Sequence, residues 1–481
     1  MQFYKKVFLS IAVTLSLAAC KKWDDHIEVG NQDLNNDLYT AISSNPQLSK
    51  FKEYVLQTGL DTLLRSTKTY TVWAPDNTAL QALDPAVVAD KAQLRLFLQN
   101  HIANQSYFTR DAQVQIRVPM LNGKYNNFLG TAFGDATITT KDKFVKNGVL
   151  HIINKNIVVL PSLWDFVNST TAQYVQNAFI AGLNFTDFDP ATAIIDSISS
   201  ITGLPVYHAG TGLINKNRFN DRVYNLKNES KEYTYFLLDN TAFALESDSL
   251  KPYFATGVPF TNDSLAKWNT VKDLMIEGVV SSAAFLNLMS KFGVPIPANP
   301  INLVETKKFS NGVVYVFSKL DVVSASKLKT GIIQGETPSG FLSDKSGNTN
   351  YRIRYNPATG LNFTDILVSG HAVTTYYAYY RLNEVPSIKY KVYISAINDF
   401  QTGAFAQNIV FKTVVPGQSS TTFPIIATLL HNVPLYTAAG AYNELYLGDV
   451  TVPNYGSLEI QLTATATNPI VMDYLRLVPV P

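Results

Sequence analysis

Cysteine is all but missing: 481 residues hold one, Cys20. No intramolecular disulfide can form, so stability outside a reducing compartment must come from packing. Charge is sparse as well. Asp, Glu, Lys and Arg make up 16% of the chain and nearly cancel, at a formal net charge of +2. No Lys/Arg block marks a nucleic-acid surface, so nucleic acid is not an expected partner. The six histidines, His26, His101, His151, His208, His371 and His431, are scattered without the spacing of a metal site. There is no P-loop, no His-Glu-x-x-His and no Gly-x-Ser-x-Gly. No cofactor, metal or catalytic residue is therefore expected, and the chain reads as a non-enzyme. A glycosidase carboxylate pair would leave no local trace, because its two acids need not be close in sequence. What the chain does have is apolar bulk: 46% hydrophobic residues, with 26 tyrosines and 27 phenylalanines. Such a composition builds cores and excludes disorder, and the length suggests about three domains.

The single cysteine ends a targeting segment. Met1 to Lys6 is short and basic, Val7 to Leu17 is apolar, and Leu17-Ala18-Ala19-Cys20 closes with small residues. That order is a secretory signal, and the apolar run falls short of the ~20 residues a membrane-spanning helix needs. The Leu-Ala-Ala-Cys ending resembles a bacterial lipobox. The resemblance implies cleavage of residues 1–19 and lipidation of Cys20 as the new N-terminus; an ordinary signal peptide with an incidental cysteine is the alternative. Lys21-Lys22-Trp23-Asp24-Asp25 opens a polar stretch with too little apolar surface to fold. It reads as a tether over 20–33. Two bases followed by two acids resemble the export signal of surface lipoproteins in some Gram-negative glycan-foraging bacteria. The expected location is the outer membrane, facing out, with the lipid at Cys20 as the membrane contact.

From Leu34 the pattern becomes amphipathic, with Leu38, Ala41, Ile42 and then Leu48, Phe51, Tyr54, Val55 at helical spacing. Asn45-Pro46 separates two helices and Gly59 ends the second. Thr69 to Trp73 reads as a strand, and Ala74-Pro75-Asp76-Asn77 turns it into another helix capped by Asp76 or Asn77. Val149 to Val159 is apolar with few breaks, as a strand buried on both faces is, and Asn147-Gly148 supplies a turn before it. Such a strand needs a partner, and Val72/Trp73 is the candidate. Thr71-Val72-Trp73-Ala74-Pro75-Asp76-Asn77-Thr78-Ala79 resembles the first signature of fasciclin-like domains. Leu96 to Ile102, with His101, resembles their middle helix, and Asn147-Gly148-Val149-Leu150-His151-Ile152-Ile153-Asn154 resembles their second signature. Trp73 stands where the family usually has Phe. The resemblance covers 34–162 and implies an α+β fold in which His101 packs. His101 and His151 are read as core residues and not as metal ligands.

A second, divergent copy follows over 163–325, directly after Pro161. Tyr233 to Leu238 is a strand, Asp239-Asn240-Thr241-Ala242 repeats the earlier turn, and Asn311-Gly312-Val313-Val314-Tyr315-Val316-Phe317 mirrors Asn147 to Ile153. Leu237-Leu238 replaces Ala74-Pro75. The middle helix is expected near Val271 to Val280, with Glu277-Gly278 where Asn100-His101 would be, and Phe185 to Arg222 is extra length.

Over 326–481 helical periodicity stops. Lys329 to Asn350, rich in Gly, Ser and Thr, reads as a turn or linker. Tyr351–Tyr355, Lys389–Ile394 and Leu458–Thr463 alternate as strands. The expected architecture is all-β, a jelly-roll-type sandwich. Asp473 to Pro479 resembles the last strand of galactose-binding-like jelly rolls, which often bind sugars. In Tyr376-Tyr377-Ala378-Tyr379-Tyr380, Tyr377 and Tyr379 share one strand face. They form either a sugar platform or plain sheet cover, and cover is the commoner use of such residues. The whole reads as a lipid-anchored surface protein contacting proteins or glycans. The alternative is an accessory glycan-binding subunit in complex with an outer-membrane transporter for polysaccharide uptake.

Overall fold

A computed structural model describes residues 32–356, 359–435 and 444–481. The signal segment, Cys20 and nearly all of the tether lie outside the described residues. The first domain is built on a seven-stranded sheet. Its order is Ile102–Ala103, Tyr70–Pro75, Gly148–Ile153, Ala136–Val145, Ala132–Phe133, Tyr125–Leu129 and Ile116–Pro119. Tyr70–Pro75 and Gly148–Ile153 run parallel, with Thr71 opposite Val149 and Trp73 opposite His151. Every residue of both strands is buried, which accounts for their unbroken apolar runs. Val72, Ala74, Leu150 and Ile152 lie against Leu38, Phe51, Val55 and Leu98 of the helices. Trp73 and Ile153 face the other way, into Phe128 and Phe133. The larger ring at Trp73 is accommodated by stacking on Phe133, centroids 4.2 Å apart.

Local signals behave as their chemistry requires. Gly59 closes its helix at φ 73°. Asp76 Oδ1 accepts from Ala79 N at 2.7 Å. The helix expected after Asp76 is only a 3-10 turn, Ala79–Ala82, because Asp84-Pro85 restarts the chain as a separate helix, Pro85–Ala89.

One buried latch holds the parallel strands in register. Asn147 Oδ1 accepts from Leu38 N at 2.8 Å, and its Nδ2 donates to Leu64 O at 2.8 Å and Ser66 O at 2.7 Å. Gly148 follows at φ 155°, where an added Cβ would stand 1.9 Å from Tyr70 O. The second domain repeats this bond for bond. Asn311 Oδ1 accepts from Leu163 N at 2.8 Å, Nδ2 donates to Leu226 O at 2.9 Å and Asn228 O at 3.4 Å, and a Cβ on Gly312 would stand 2.1 Å from Tyr233 O. Its sheet, Met275–Glu277, Tyr233–Leu238, Gly312–Phe317 and Leu303–Phe309, has the same parallel central pair.

The repeat corrects the expected alignment. Thr71 pairs with Ala103 and Thr234 with Ile276. Asn100-His101 therefore correspond to Asp273-Leu274, not to Glu277-Gly278. The helix expected at Val271–Val280 is Pro259–Val271, followed by the strand Met275–Glu277. The apolar run of that strand is too short to carry a period that separates strand from helix; its pairing with Tyr233–Tyr235 decides.

The third domain packs a four-stranded sheet, Gly331–Gln334, Tyr474–Val480, Lys389–Ser395 and Leu445–Thr451, on a five-stranded one. The latter is ordered Gly340–Phe341, Tyr377–Val385, Gly456–Ala464, Phe405–Thr413, Ile425–Val433. Val392, Ile394, Leu475 and Leu477 meet Ala378, Tyr380, Ile409 and Ile460 between them. Lys329–Asn350 is not a linker: it supplies one edge strand to each sheet, Gly331–Gln334 and Gly340–Phe341. Ile333 is buried in the core despite the Gly- and Ser-rich surroundings.

The domains are docked. Arg117 and Lys124 of the first face Glu232 at 3.6 Å and Glu229 at 2.6 Å of the second. Between the second and third, Lys327 Nζ donates to Asp273 Oδ2 at 2.7 Å and to Asn269 O at 2.9 Å, and Ser290 Oγ donates to Asp273 Oδ1 at 2.7 Å. Both charged groups are fully buried.

Because the two latches satisfy the same groups, Asn147→Ala and Asn311→Ala should destabilise alike. Each orphans a buried N–H and two carbonyls, worth about 3 kcal/mol together. Chemical denaturation of the whole chain, followed by amide exchange at Leu38 and Leu163, measures both. A cost confined to one variant would show that the two asparagines do different jobs.

Candidate functional site

The signature residues form the frame and not a pocket. Ala74 and Pro75 end the buried strand, opposite Ile152 and Ile153. Thr71 Oγ1 donates to Gln105 O at 2.6 Å and accepts from Tyr107 N at 2.9 Å; Thr234 makes the same pair with Gly278 O and Val280 N. Asn77 pins Lys50 N and Pro46 O, as Asn240 pins Val175 N and Gln173 O.

Both histidines are committed to backbone. His101 is buried between Phe97 O, 2.8 Å from Nδ1, and Ile157 N, which donates to Nε2 at 3.0 Å. Carbonyl and amide fix the tautomer: Nδ1 carries the proton and Nε2 accepts. Burial lowers its pKa to about 4, against a smaller opposing effect of the Phe97 carbonyl. His151 donates from Nε2 to Tyr107 O at 3.0 Å and accepts from Asp142 N at 3.2 Å. Burial lowers its pKa too, with the Tyr107 carbonyl and Asp142 opposing. The residue at its place in the second domain, Tyr315, sends its hydroxyl to Val280 O at 2.7 Å, the carbonyl equivalent to Tyr107 O. A phenol and an imidazole thus serve one backbone acceptor.

The tyrosine strand is different. Tyr376, Ala378 and Tyr380 are buried in the sandwich core, and Tyr377 and Tyr379 lie half-buried on the outer face with ring centroids 6.5 Å apart. Strand register sets rows across that face. Tyr377, Thr463, Asn408 and Leu430 form one, and Tyr379, Gln461, Val410 and Thr428 the next. In the third row, Arg381, Glu459, Lys412 and Ile425, the middle pair Glu459 and Lys412 is sealed while Arg381 and Ile425 stay exposed. Glu459 is buried, paired with Arg381 at 2.7 Å and accepting from Ser420 Oγ and, at 2.8 Å, from Gln461 Nε2. Phe423 closes it, with Arg381 5.2 Å from its ring and 5.8 Å from that of Tyr379. Gly340 leaves room for the Tyr379 ring; a Cβ there would stand 2.5 Å from its hydroxyl. The first two rows are partly open, with Gln461 buried and Tyr377, Tyr379, Asn408 and Val410 half-buried, and neither tyrosine hydroxyl nor the Asn408 carboxamide has a hydrogen-bond partner among the described residues. Flat rings beside free amide and hydroxyl groups suit a polyhydroxylated ring with one apolar face.

A second surface went unread in the sequence, where Phe185–Arg222 was only extra length. It forms a stem hairpin, Asn184–Phe188 with Leu213–Asn217, and beyond it an arm, Ile195–Ile198 with Pro205–Tyr207. Ile194, Ile195, Ile198, Leu204 and Leu213 are exposed, and Ile201 at the tip is 94% exposed. Residues 184–215 contain Asp187, Asp189 and Asp196 but no Lys or Arg. A lone two-stranded hairpin is marginal in water, and contiguous exposed apolar side chains mark contact surfaces. The available signal was an Ile-rich run of strand character lacking a partner strand.

Residues 46–159 match the family model for the Fasciclin domain. The first domain is accordingly a fasciclin domain, and the second is its divergent copy by the repeated latch. Transforming growth factor-beta-induced protein ig-h3 of Sus scrofa is 26% identical over 164 residues, 30% of this chain. The chain spans 24% of that curated relative's length. Among solved structures, a FAS1 domain pair from the insect cell adhesion molecule Fasciclin I is similar over 58% of this chain and 98% of its own, at 15% identity and TM-score 0.24. A family 35 carbohydrate binding module from Clostridium thermocellum is similar over 32% of this chain and 99% of its own, at 13% identity and TM-score 0.22.

The depressed pKa of His101 fixes a pH dependence. A neutral folded-state histidine contributes stability that is complete above its unfolded value, 6.5, and lost as pH falls toward about 4. Within that window the loss is about 1.4 kcal/mol per pH unit. Urea titrations at several pH values should show the stability gap between wild type and His101→Gln narrowing as pH falls. A gap independent of pH would mean that the ring is not held neutral.

Proposed function

We propose that the protein is a non-catalytic binding protein, held at the cell surface by lipid on Cys20, that contacts glycans through the outer face of its third domain. The observation that carries this reading is the pair Tyr377 and Tyr379, half-exposed on one partly open sheet face beside unpartnered polar groups. The same strand buries Tyr376 and Tyr380, so core packing accounts for those two tyrosines and not for the other pair. The fasciclin domain favours adhesion or binding over catalysis. The lipobox-like segment and the polar tether favour an outer-membrane address. The domain limits proposed are 34–162, 163–325 and 326–481, after a signal of 1–19 and a tether of 20–33.

The apolar arm supports a second contact, with protein. Its strands are edges, its exposed apolar side chains are mainly Ile and Leu, and its one acidic side chain is Asp196, while Asp187 of the stem is paired with Lys216, so the surface it fits is an apolar groove. A transporter complex that takes up polysaccharide would use both surfaces, the glycan face and the arm; adhesion needs only one of them.

Tyr377→Ala with Tyr379→Ala should abolish retention of the whole protein on polysaccharide gels and leave its melting temperature close to wild type. A large fall in stability would identify the rings as structural, since truncating core aromatics costs about 3–5 kcal/mol. Retained binding would move the glycan contact elsewhere. Cys20→Ser should shift the protein from membranes to the soluble fraction; intact-mass measurement of an unacylated wild-type protein would refute the anchor.

A further inference from the structure

Where the second and third domains meet lies a pocket of about 580 Å³, walled mainly by the second domain and flanked by Glu384 and Tyr455 of the third, within the usual size of small-ligand sites. It is preformed by a tight junction. Ser387 N donates to Tyr253 O at 2.8 Å, Ala255 N to Ser387 Oγ at 2.9 Å, and Tyr455 N to Ala255 O at 2.6 Å. Phe254 and Tyr455 meet edge to face at 5.3 Å.

The walls are aromatic and aliphatic: Phe179, Leu183, Leu265, Trp268 and Tyr455, with Phe260 on the rim. Phe260 is 80% exposed although it opens a 13-residue helix, Pro259–Val271, whose other face is core. The ring is thus available to cover a ligand that enters the pocket.

The charges in the pocket do not balance. Lys267 is paired with Asp263 at 2.7 Å, and Arg222 faces Glu384 at 3.7 Å. Glu384 reaches across from the third domain at a bulge between Leu382 and Val385, with φ 56°. A non-glycine residue at positive φ is uncommon and costs energy. Here the strain sets a carboxylate on the far wall opposite Arg222. Arg218 is left over: it is exposed, lines the pocket, and its guanidinium has no hydrogen-bond or ion-pair partner among the described residues. A free guanidinium beside aromatic walls selects a planar anion, and its fork fits a carboxylate. Aromatic walls select a flat or ring-shaped body.

We propose that this junctional pocket binds a carboxylate carried on a six-membered ring, with Arg218 taking the carboxylate and Phe260 and Trp268 taking the ring. Two sources share that chemistry, a uronate of an acidic polysaccharide and a free aromatic acid. The pocket shares no lining residue with the tyrosine rows, although its Glu384 lies on the same strand as Tyr377 and Tyr379, and its occupation does not depend on the glycan reading above.

The test uses the whole protein and saturation-transfer NMR with D-glucuronate, D-galacturonate, benzoate, D-glucose and inorganic phosphate. At least one of the three carboxylates should bind, and glucose and phosphate should not. A uronate that binds without benzoate assigns a polysaccharide source, and the reverse assigns an aromatic acid. Arg218→Gln should weaken binding at least about tenfold, the loss of a charge-assisted hydrogen bond. Arg218 is exposed, so this variant should melt as wild type does. Phe260→Ala, also at an exposed site, should weaken binding without a change in stability. Tyr377→Ala with Tyr379→Ala should leave it intact, which separates this site from the glycan face. No signal from any carboxylate, equal binding of glucose, or affinity unchanged in both Arg218→Gln and Phe260→Ala would overturn the proposal.

Discussion

Two parallel strands buried on both faces create the constraint from which the first two domains follow. A strand of that kind has no solvent to satisfy the backbone where pairing begins. At each entry point one carboxamide, Asn147 or Asn311, satisfies three backbone groups from two other segments. The glycine after it lets the neighbouring carbonyl approach closer than any side chain would permit. Helix start, loop and strand are thereby tied at one residue. The side chains around this node have diverged: Trp73 answers to Phe236, His151 to Tyr315, and Pro75 to Leu238. The node itself has not, because each of its atoms has a backbone partner and no other residue type offers the same acceptor and donors at that reach.

This is why so much of the α+β half was legible. Asn-Gly before an apolar run is a local signature of a local necessity, and it marked the central strand in both copies. Mistakes arose where the decisive contact was distant. Met275–Glu277 is a strand because it pairs with Tyr233–Tyr235, a fact absent from its own sequence. Gly331–Gln334 and Gly340–Phe341 read as linker because edge strands of four and two residues carry too little pattern to outweigh Gly and Ser around them. The tyrosine face was half legible. Alternation placed Tyr377 and Tyr379 together, but whether that face was covered depended on where residues 414–424 run, and they seal only the middle of the Arg381 row. The arm and the junctional pocket were invisible, since one is defined by what fails to pack on it and the other by two domains meeting.

Polar groups in this molecule are handled by two opposite strategies. Inside the first domain they are neutral and spoken for, as with His101 and His151, whose rings are bonded at both nitrogens and whose charged form burial disfavours. At the domain boundaries they are charged and paired across the seam: Lys124 with Glu229, Arg222 with Glu384, Lys327 with Asp273. Apolar packing would hold the domains together in many orientations. Ion pairs that need a defined distance hold them in one, at a cost in desolvation.

The Lys327–Asp273 pair lies at the very residue where the chain passes from the second domain to the third. A connector at such a point is ordinarily where a multidomain protein bends. Here bending would draw an ammonium from a carboxylate in a dry site, and separating a buried pair costs about 3–5 kcal/mol. The chain leaving the second domain is therefore pinned at Lys327, four residues before the first strand of the third, Gly331–Gln334, which leaves only a short length of backbone in which the two could hinge.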